Sequence, residues 1–419
     1  MNMSVDKSFE TQDPALWQDP KRYGWLLSPA LPLIGTAIGV FAIPSTKTEK
    51  NSKLNTLLCF AGPILVHAII PALDIIVGTD HSNPPDEAMK RLQEDPYYKR
   101  IAYAFVPLQY LTLGIIARKF AKSENAPLLA KLGMALSAGT INGIAINTAH
   151  ELGHKKGKMD NWMAKLSLAP TSYGHFVVEH NYGHHKNVAT PLDPASSRFG
   201  ETFYQFLPRT VIGSFRSAIE IETARLARKG KSFWTKDNEL LQSWGLSAAL
   251  YAGLYKAFGA KVIPFIAIQA VYGFSLLEVV NYLEHYGLKR PQREDGSYSR
   301  TLPEHSWNSN HVITNLFLYQ LQRHSDHHAH PTRDFQMLRH FDEAPQLPSG
   351  YASMITLAYF PKIWFKVMNP RVMKHYSGDT SLMNLYDKQE RPVRELIGDI
   401  SGAVASKTLG KIGSLLQKV

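Results

Sequence analysis

Nine of the 17 histidines fall into four tight groups. HELGH holds His150 and His154, EHNYGHH holds His180, His184 and His185, EHYG holds His285, and RHSDHH holds His324, His327 and His328. Imidazole is a donor that suits zinc, copper, iron and nickel. Residues four apart lie on one face of a helix, so His150 and His154 can reach one ion. Adjacent residues point about 100° apart. The pairs His184–His185 and His327–His328 can therefore face two different ions. Nine imidazoles are more than one ion can take, and they suit two transition ions with positions left open for substrate. Neither packing nor solubility explains two HH dipeptides, each preceded by a histidine three or four residues earlier.

The isolated histidines read differently. His67, His81, His175, His305, His311, His340 and His375 are expected to be satisfied core residues, and His330 a bystander of the third cluster. The single cysteine, Cys59, excludes a disulfide framework, a cluster bound by this chain alone and a cysteine-based zinc finger. HELGH also fits the HExxH zinc-protease pattern, with Glu151 as general base. That reading needs only one further ligand and leaves most of the clustered histidines unexplained. Two ions without thiolates, held against a bilayer, fit oxygen chemistry, for which iron is the natural metal. Glu151, Glu179, Glu284, Asp326 and Asp193 accompany the donors. They are expected to accept the second N–H of ligating imidazoles, which fixes the tautomer.

Something must hold these groups together, and the apolar residues show what. A mean hydropathy of −0.19 conceals pooling. The runs Gly24–Ile43, Leu54–Gly78, Ile101–Ala117, Leu132–Ala149, Ser243–Phe258 and Val262–Leu277 are almost free of charge. A bilayer core of roughly 30 Å needs about 20 apolar residues. The expected fold is an all-α integral membrane protein, with about six transmembrane helices capped by a helical cytoplasmic domain that holds a histidine-rich dimetal site. Residues 1–23 form a polar cytoplasmic segment without a cleavable secretory signal. Residues 24–149 carry helices one to four, 150–240 histidine boxes and a basic amphipathic stretch, 241–284 helices five and six, 285–375 a second histidine-box domain, and 376–419 a tail. Parity then puts 79–100, 150–240 and everything after 284 on the cytoplasmic side, and 44–53 and 118–131 outside. The fourth and sixth helices run directly into His150 and His285, so the clusters can converge on one membrane face. His67 and Asp74 lie within the second apolar run, where ionisable residues are functional suspects. The stretch 200–240 reads as an interfacial helix, and nucleic-acid binding, the other reading of basic plus aromatic residues, is set aside.

The strings HELGHK, EHNYGHH followed by VATPLDPASS, NYLEHYG, WNSNH and LQRHSDHHAHPTR resemble the alkane 1-monooxygenase (alkane hydroxylase) family of the membrane fatty-acid desaturase/hydroxylase superfamily. The resemblance runs over roughly residues 15 to 375. It implies that His150, His154, His180, His184, His185, His285, His324, His327 and His328 are the ligands of a non-haem diiron centre. It also implies O2-dependent hydroxylation of a terminal alkane carbon in the bacterial inner membrane, with electrons from rubredoxin and a rubredoxin reductase upstream. The chain has no CxxC pair, so the electron carrier acts in trans. Lys155, Lys156, Lys158, Lys186, Arg333 and Arg339 are candidates to steer an acidic carrier, with attraction to anionic lipid as the other use of such residues. An alkane has no polar handle. It must be oriented by shape, in a slot reached from the bilayer and walled by helices two, four and six. The rival readings are a related hydroxylase or fatty acyl desaturase, the zinc protease, and a metal transporter.

Overall fold

The computed structural model describes residues 17–41 and 53–386. Residues 1–16, most of the expected outer loop 44–53, and the tail from 387 onward lie outside the described residues. The described chain is helical, without a strand, and pairs only through isolated bridges such as Thr79–His311. Contacts divide it into two interleaved units. Of the described residues, the first holds 17–41, 53–174, 243–277 and 301–356, and the second holds 175–242, 278–300 and 357–386.

The first unit contains α1 (Leu27–Phe41), α2 (Ala61–Val77), α3 (Pro96–Lys122) and α4 (Leu128–Gly153). Pro96 opens α3, where its missing N–H costs nothing, and Asp95 caps the first turn by accepting from Tyr97 N at 2.9 Å. Lys119 and Lys122 close it on the negative end of the dipole. α2 starts only at Ala61, after a turn at Cys59–Phe60, and passes through a wider π turn at Leu65–Ile69. The second apolar run is therefore shorter as a helix than as a sequence.

Among the described residues, Pro96–Lys122, Leu128–Gly153 and Ala260–His285 are long and apolar enough to cross a bilayer, while Gly24–Ile38 and Ala61–Val77 are apolar but shorter. The remaining apolar run lies in Glu239–Phe258, which carries Glu239 and Lys256.

Polar side chains bind the apolar helices of this unit together. Gln109 of α3 donates to Asn142 of α4 at 3.0 Å, and Asn142 donates to Gln269 at 2.6 Å. All three are buried, so the amides satisfy one another where water cannot. Small residues permit the close approach. A Cβ on Gly139 would meet the Gln269 carbonyl oxygen at 2.7 Å, and one on Gly143 the Gly273 carbonyl oxygen at 2.9 Å. Asp74, the buried acid of α2, accepts from Thr314 N at 3.0 Å and from the Thr314 hydroxyl. It thereby caps the short helix Val312–Phe317 from outside. His67 Nδ1 lies 2.9 Å from Thr356 Oγ1, and its Nε2 lies 3.1 Å from Tyr272 Oη.

The second unit holds α5 (176–187) and α6 (Phe203–Ala227), the latter started by a Thr202/Gln205 capping box. After them come two helices divided between the units, α7 (Glu239–Phe258), which gives only its first four residues to this unit, and α8 (Ile263–His285), which gives it Glu278 onward. Tyr282 and Tyr286 pack on Trp364 with ring centroids 5.0 and 5.3 Å away. Arg209 makes a forked pair with Glu201 at 2.7 and 2.8 Å. The last of the elements that carry the site is α9 (His324–Ala329), in the first unit.

Candidate metal centre

In the first unit the histidines sort into two sets. His150 lies in the last turn of α4 and His154 is its C-cap, so the i, i+4 spacing brings their ring centroids to 5.0 Å. His327 joins them from α9, with Nε2 2.9 Å from His150 Nε2. The donor atoms of these three residues all lie within 4.8 Å of one another. On the same short helix His324 and His328, again four apart, face each other Nε2 to Nε2 at 2.9 Å. The adjacent residues His327 and His328 thus belong to different sets, as the 100° step between neighbours requires.

The second unit repeats the division by another device. Residues His180–His184 of α5 form a π turn, whose bonds run i to i+5. The wider turn aligns His180 with His185 rather than with His184, and their Nε2 atoms come within 3.1 Å. His184 is left to face His285, the last residue of α8, with ring centroids 5.1 Å apart. Spacing alone shows one histidine a turn from an adjacent pair. The winding decides which member of the pair it meets.

These contacts fit a metal. Two imidazole nitrogens each about 2.1 Å from one ion, at roughly a right angle, lie about 3.0 Å apart. Without an ion, two ring nitrogens at that distance need a proton between them on every pair. His184 shows the matching support: its Nδ1 lies 2.8 Å from Asp193 Oδ2, which turns Nε2 toward His285 and keeps its lone pair for an ion. Asp193 also accepts from Ser196 Oγ at 2.6 Å and Ala195 N at 3.0 Å. Burial alone would raise this carboxyl. The interaction with His184 and the hydrogen bond from Ser196 outweigh it and hold the group below the usual range.

The other expected carboxylates have varied surroundings. Glu151 pairs with Lys155 at 2.8 Å, and Lys155 pairs in turn with Asp334. Asp326 accepts from Arg333 Nη1 at 2.6 Å, from the Arg339 amide at 2.8 Å and from His330 Nδ1 at 2.8 Å. Glu284 is buried at the end of α8. Glu179 is buried too, and its carboxyl is pushed well up, first by burial and then by the charges of Asp193 and Glu278. Gly183 sits beside it, where a Cβ would meet Glu179 Oε1 at 2.6 Å. Of the candidate docking cations, Lys156, Lys158 and Lys186 are exposed, while Arg339 pairs with Asp86 and Arg333 with Asp326. One residue that the sequence reading passed over is Arg323. Its only signal was a cation inside the LQRHSDHH string.

Apolar helices of membrane length and histidine sets fit to hold metal define a class of helical, histidine-ligated membrane metalloproteins. Residues 126–358 match the family described as fatty acid desaturase. The alkane 1-monooxygenase of Acinetobacter baylyi is 55% identical to this chain over 94% of it and 96% of its own length. Alkane 1-monooxygenase 1 of Alcanivorax borkumensis is 45% identical over 88% and 89%, and the alkane 1-monooxygenase of Pseudomonas putida 44% over 88% and 90%. The chain belongs to the alkane 1-monooxygenases, within the fatty acid desaturase family.

Proposed function

We propose that the protein is a membrane monooxygenase that hydroxylates the terminal carbon of alkanes. One atom of O2 enters the C–H bond to give a primary alcohol, and the other leaves as water with two electrons and two protons taken from outside the chain. The relatives supply the substrate class through their names. Within the structure, the observation that carries the reading is the set of facing Nε2 pairs at 2.9, 2.9 and 3.1 Å, a spacing that fits two nitrogens on a shared ion.

The nine clustered histidines hold two iron ions, which when bound supply the activation of O2. The protein's own share is position and dryness. Asp193 fixes the tautomer of His184. Glu151, Glu179, Glu284 and Asp326 act beyond the ligands, through salt bridges and burial. Six spans cross the bilayer, the shorter apolar helices among them, in the bacterial inner membrane with the histidines on the cytoplasmic side. The alkane enters from lipid between α2, α4 and α8. That choice is supported by the packing of α2 on α4 through Gly62 N and Ser137 Oγ at 3.0 Å, and on α8 through His67 and Tyr272. Electrons come from an acidic carrier of rubredoxin type. Lys156, Lys158 and Lys186 pair with it directly, while Lys155, Arg333 and Arg339 add to the positive field around them.

The test is metal analysis of the purified protein together with turnover of octane supplied with rubredoxin and its reductase. About two irons per chain and O2-dependent 1-octanol are the expected results. A single zinc, or product only from a fatty acyl substrate, overturns the reading in favour of a protease or a desaturase.

A further inference from the structure

His324, His327 and His328 all stand on α9, which is six residues long. A helix shorter than about 12 residues does not hold itself together, because nucleation is unfavourable and few bonds repay it. Three imidazoles must nevertheless be held to about 0.5 Å for coordination. Their placement has to come from outside the helix.

Arg323 is the residue immediately before it. Its carbonyl accepts from the amides of Asp326 and His327 in α9, both at 3.2 Å. Its side chain is 1% exposed. Nη1 donates to Leu338 O at 2.8 Å and to Asn83 Oδ1 at 3.4 Å; Nη2 donates to Asp80 O at 3.0 Å and Ser82 O at 2.9 Å. All four acceptors are neutral oxygens. They belong to two segments, one some 240 residues earlier in the chain and the other 15 residues later, and Asn83 clips those segments together by accepting from His340 N at 2.7 Å and donating to His340 O at 3.0 Å. Burying a cation against neutral acceptors is unfavourable, and an apolar side chain would fill the space at less cost. What the guanidinium adds is a planar fork with donors in fixed directions. Asp326 braces the other side of the helix through Arg333 and the Arg339 amide.

We propose that Arg323 is the positioning residue of the third histidine box: its buried fork locks α9 to the 80–83 and 338–340 segments in the one register that sets His327 against His150. This rests on the reading of those histidines as iron ligands. A lysine's three donors sit on one nitrogen, so it cannot reach four oxygens on two segments as the planar fork does.

The experiment compares Arg323→Lys, Arg323→Ala, Asn83→Ala and His327→Ala with the parent, in detergent. It measures the thermal midpoint of the metal-free protein, the apparent Kd for Fe(II), and the Mössbauer spectrum after loading with ⁵⁷Fe. Arg323→Lys is expected to keep its metal-free midpoint, bind Fe(II) about 10- to 100-fold more weakly, and show a broadened spectrum. Millimolar guanidinium is expected to restore binding to Arg323→Ala, a rescue that general destabilisation does not give. Parent-like affinity and spectrum in Arg323→Lys overturn the proposal. If that variant does not fold, Asn83→Ala decides by the same two readouts, since it loosens the clip and leaves the cation in place. His327→Ala separates the two levels of the argument. If it binds iron as the parent does, the ligand assignment fails; if it loses iron while Arg323→Lys does not, only the role of Arg323 fails.

Discussion

His184 and Asp193 lie with Nδ1 and Oδ2 2.8 Å apart, both side chains buried, nine residues apart in a stretch whose chain reverses at Thr190–Asp193. The carboxylate sets the tautomer, and the tautomer decides which ring nitrogen keeps a free lone pair. Asp193→Ala should therefore weaken iron binding by about 10- to 100-fold, read by metal analysis after dialysis against graded Fe(II). Iron uptake equal to the parent would show that this pair serves only to shape the loop.

Metal removal should act on stability as well as on turnover. A ligand that binds only the folded state stabilises it by about 2.7 kcal/mol at 100 times its Kd. The chelated protein should melt at a lower temperature than the loaded one, and Fe(II) should restore the midpoint while Mg(II), which prefers oxygen donors, should not. Identical midpoints with and without Fe(II) would count against nitrogen ligation.

His175 gives a dependence on pH. It is buried in the second unit, its ring centroid 5.5 Å from that of Phe215, and burial pushes its imidazole down to about 4 from an ordinary 6.5. With a depressed folded-state value, the contribution is fully present above about 6.5 and is lost as the pH falls toward 4, because the unfolded chain takes up the proton first. At pH 5.5 the loss should be about 1.4 kcal/mol. Thermal midpoints of the metal-free parent and of His175→Gln, taken between pH 7.5 and 5, should differ in slope by that amount; parallel slopes would refute it.

The contact of α4 with α8 should resist enlargement. Gly139→Ala places a methyl 2.7 Å from the Gln269 carbonyl oxygen, and Gly143→Ala one 2.9 Å from that of Gly273. The neighbours are backbone, so the helices must part. Each change should cost about 1–3 kcal/mol, seen as a lowered thermal midpoint in detergent, and should reduce iron content because His150 and His154 ride on α4. An unchanged midpoint would refute the close contact of α4 with α8.

Asp74 illustrates how position in a run can mislead. A carboxylate within an apolar helix invites a functional role. Here it caps Thr314 across 240 residues of sequence. Asp74→Ala should cost about 1–2 kcal/mol of stability while leaving iron stoichiometry unchanged, which metal analysis of the purified variant would check.

The sequence by itself determined which imidazoles cluster and that long apolar helices lead into them. Imidazoles in such numbers and at such spacings have no other chemical use, and uncharged runs near twenty residues have few other fates, because unpaired peptide groups cannot be left in hydrocarbon. It also determined that His327 and His328 must diverge, since a helix fixes the angle between neighbours. Only the tertiary structure decided that His180 meets His185 and not His184, since a single π turn leaves no mark on residue type. Only the tertiary structure, too, assigned Asp74 to a helix cap and Arg323 to the bracing of α9. Both act on residues hundreds of positions away in the chain, and a sequence records local spacing but not which distant oxygens a buried side chain will reach.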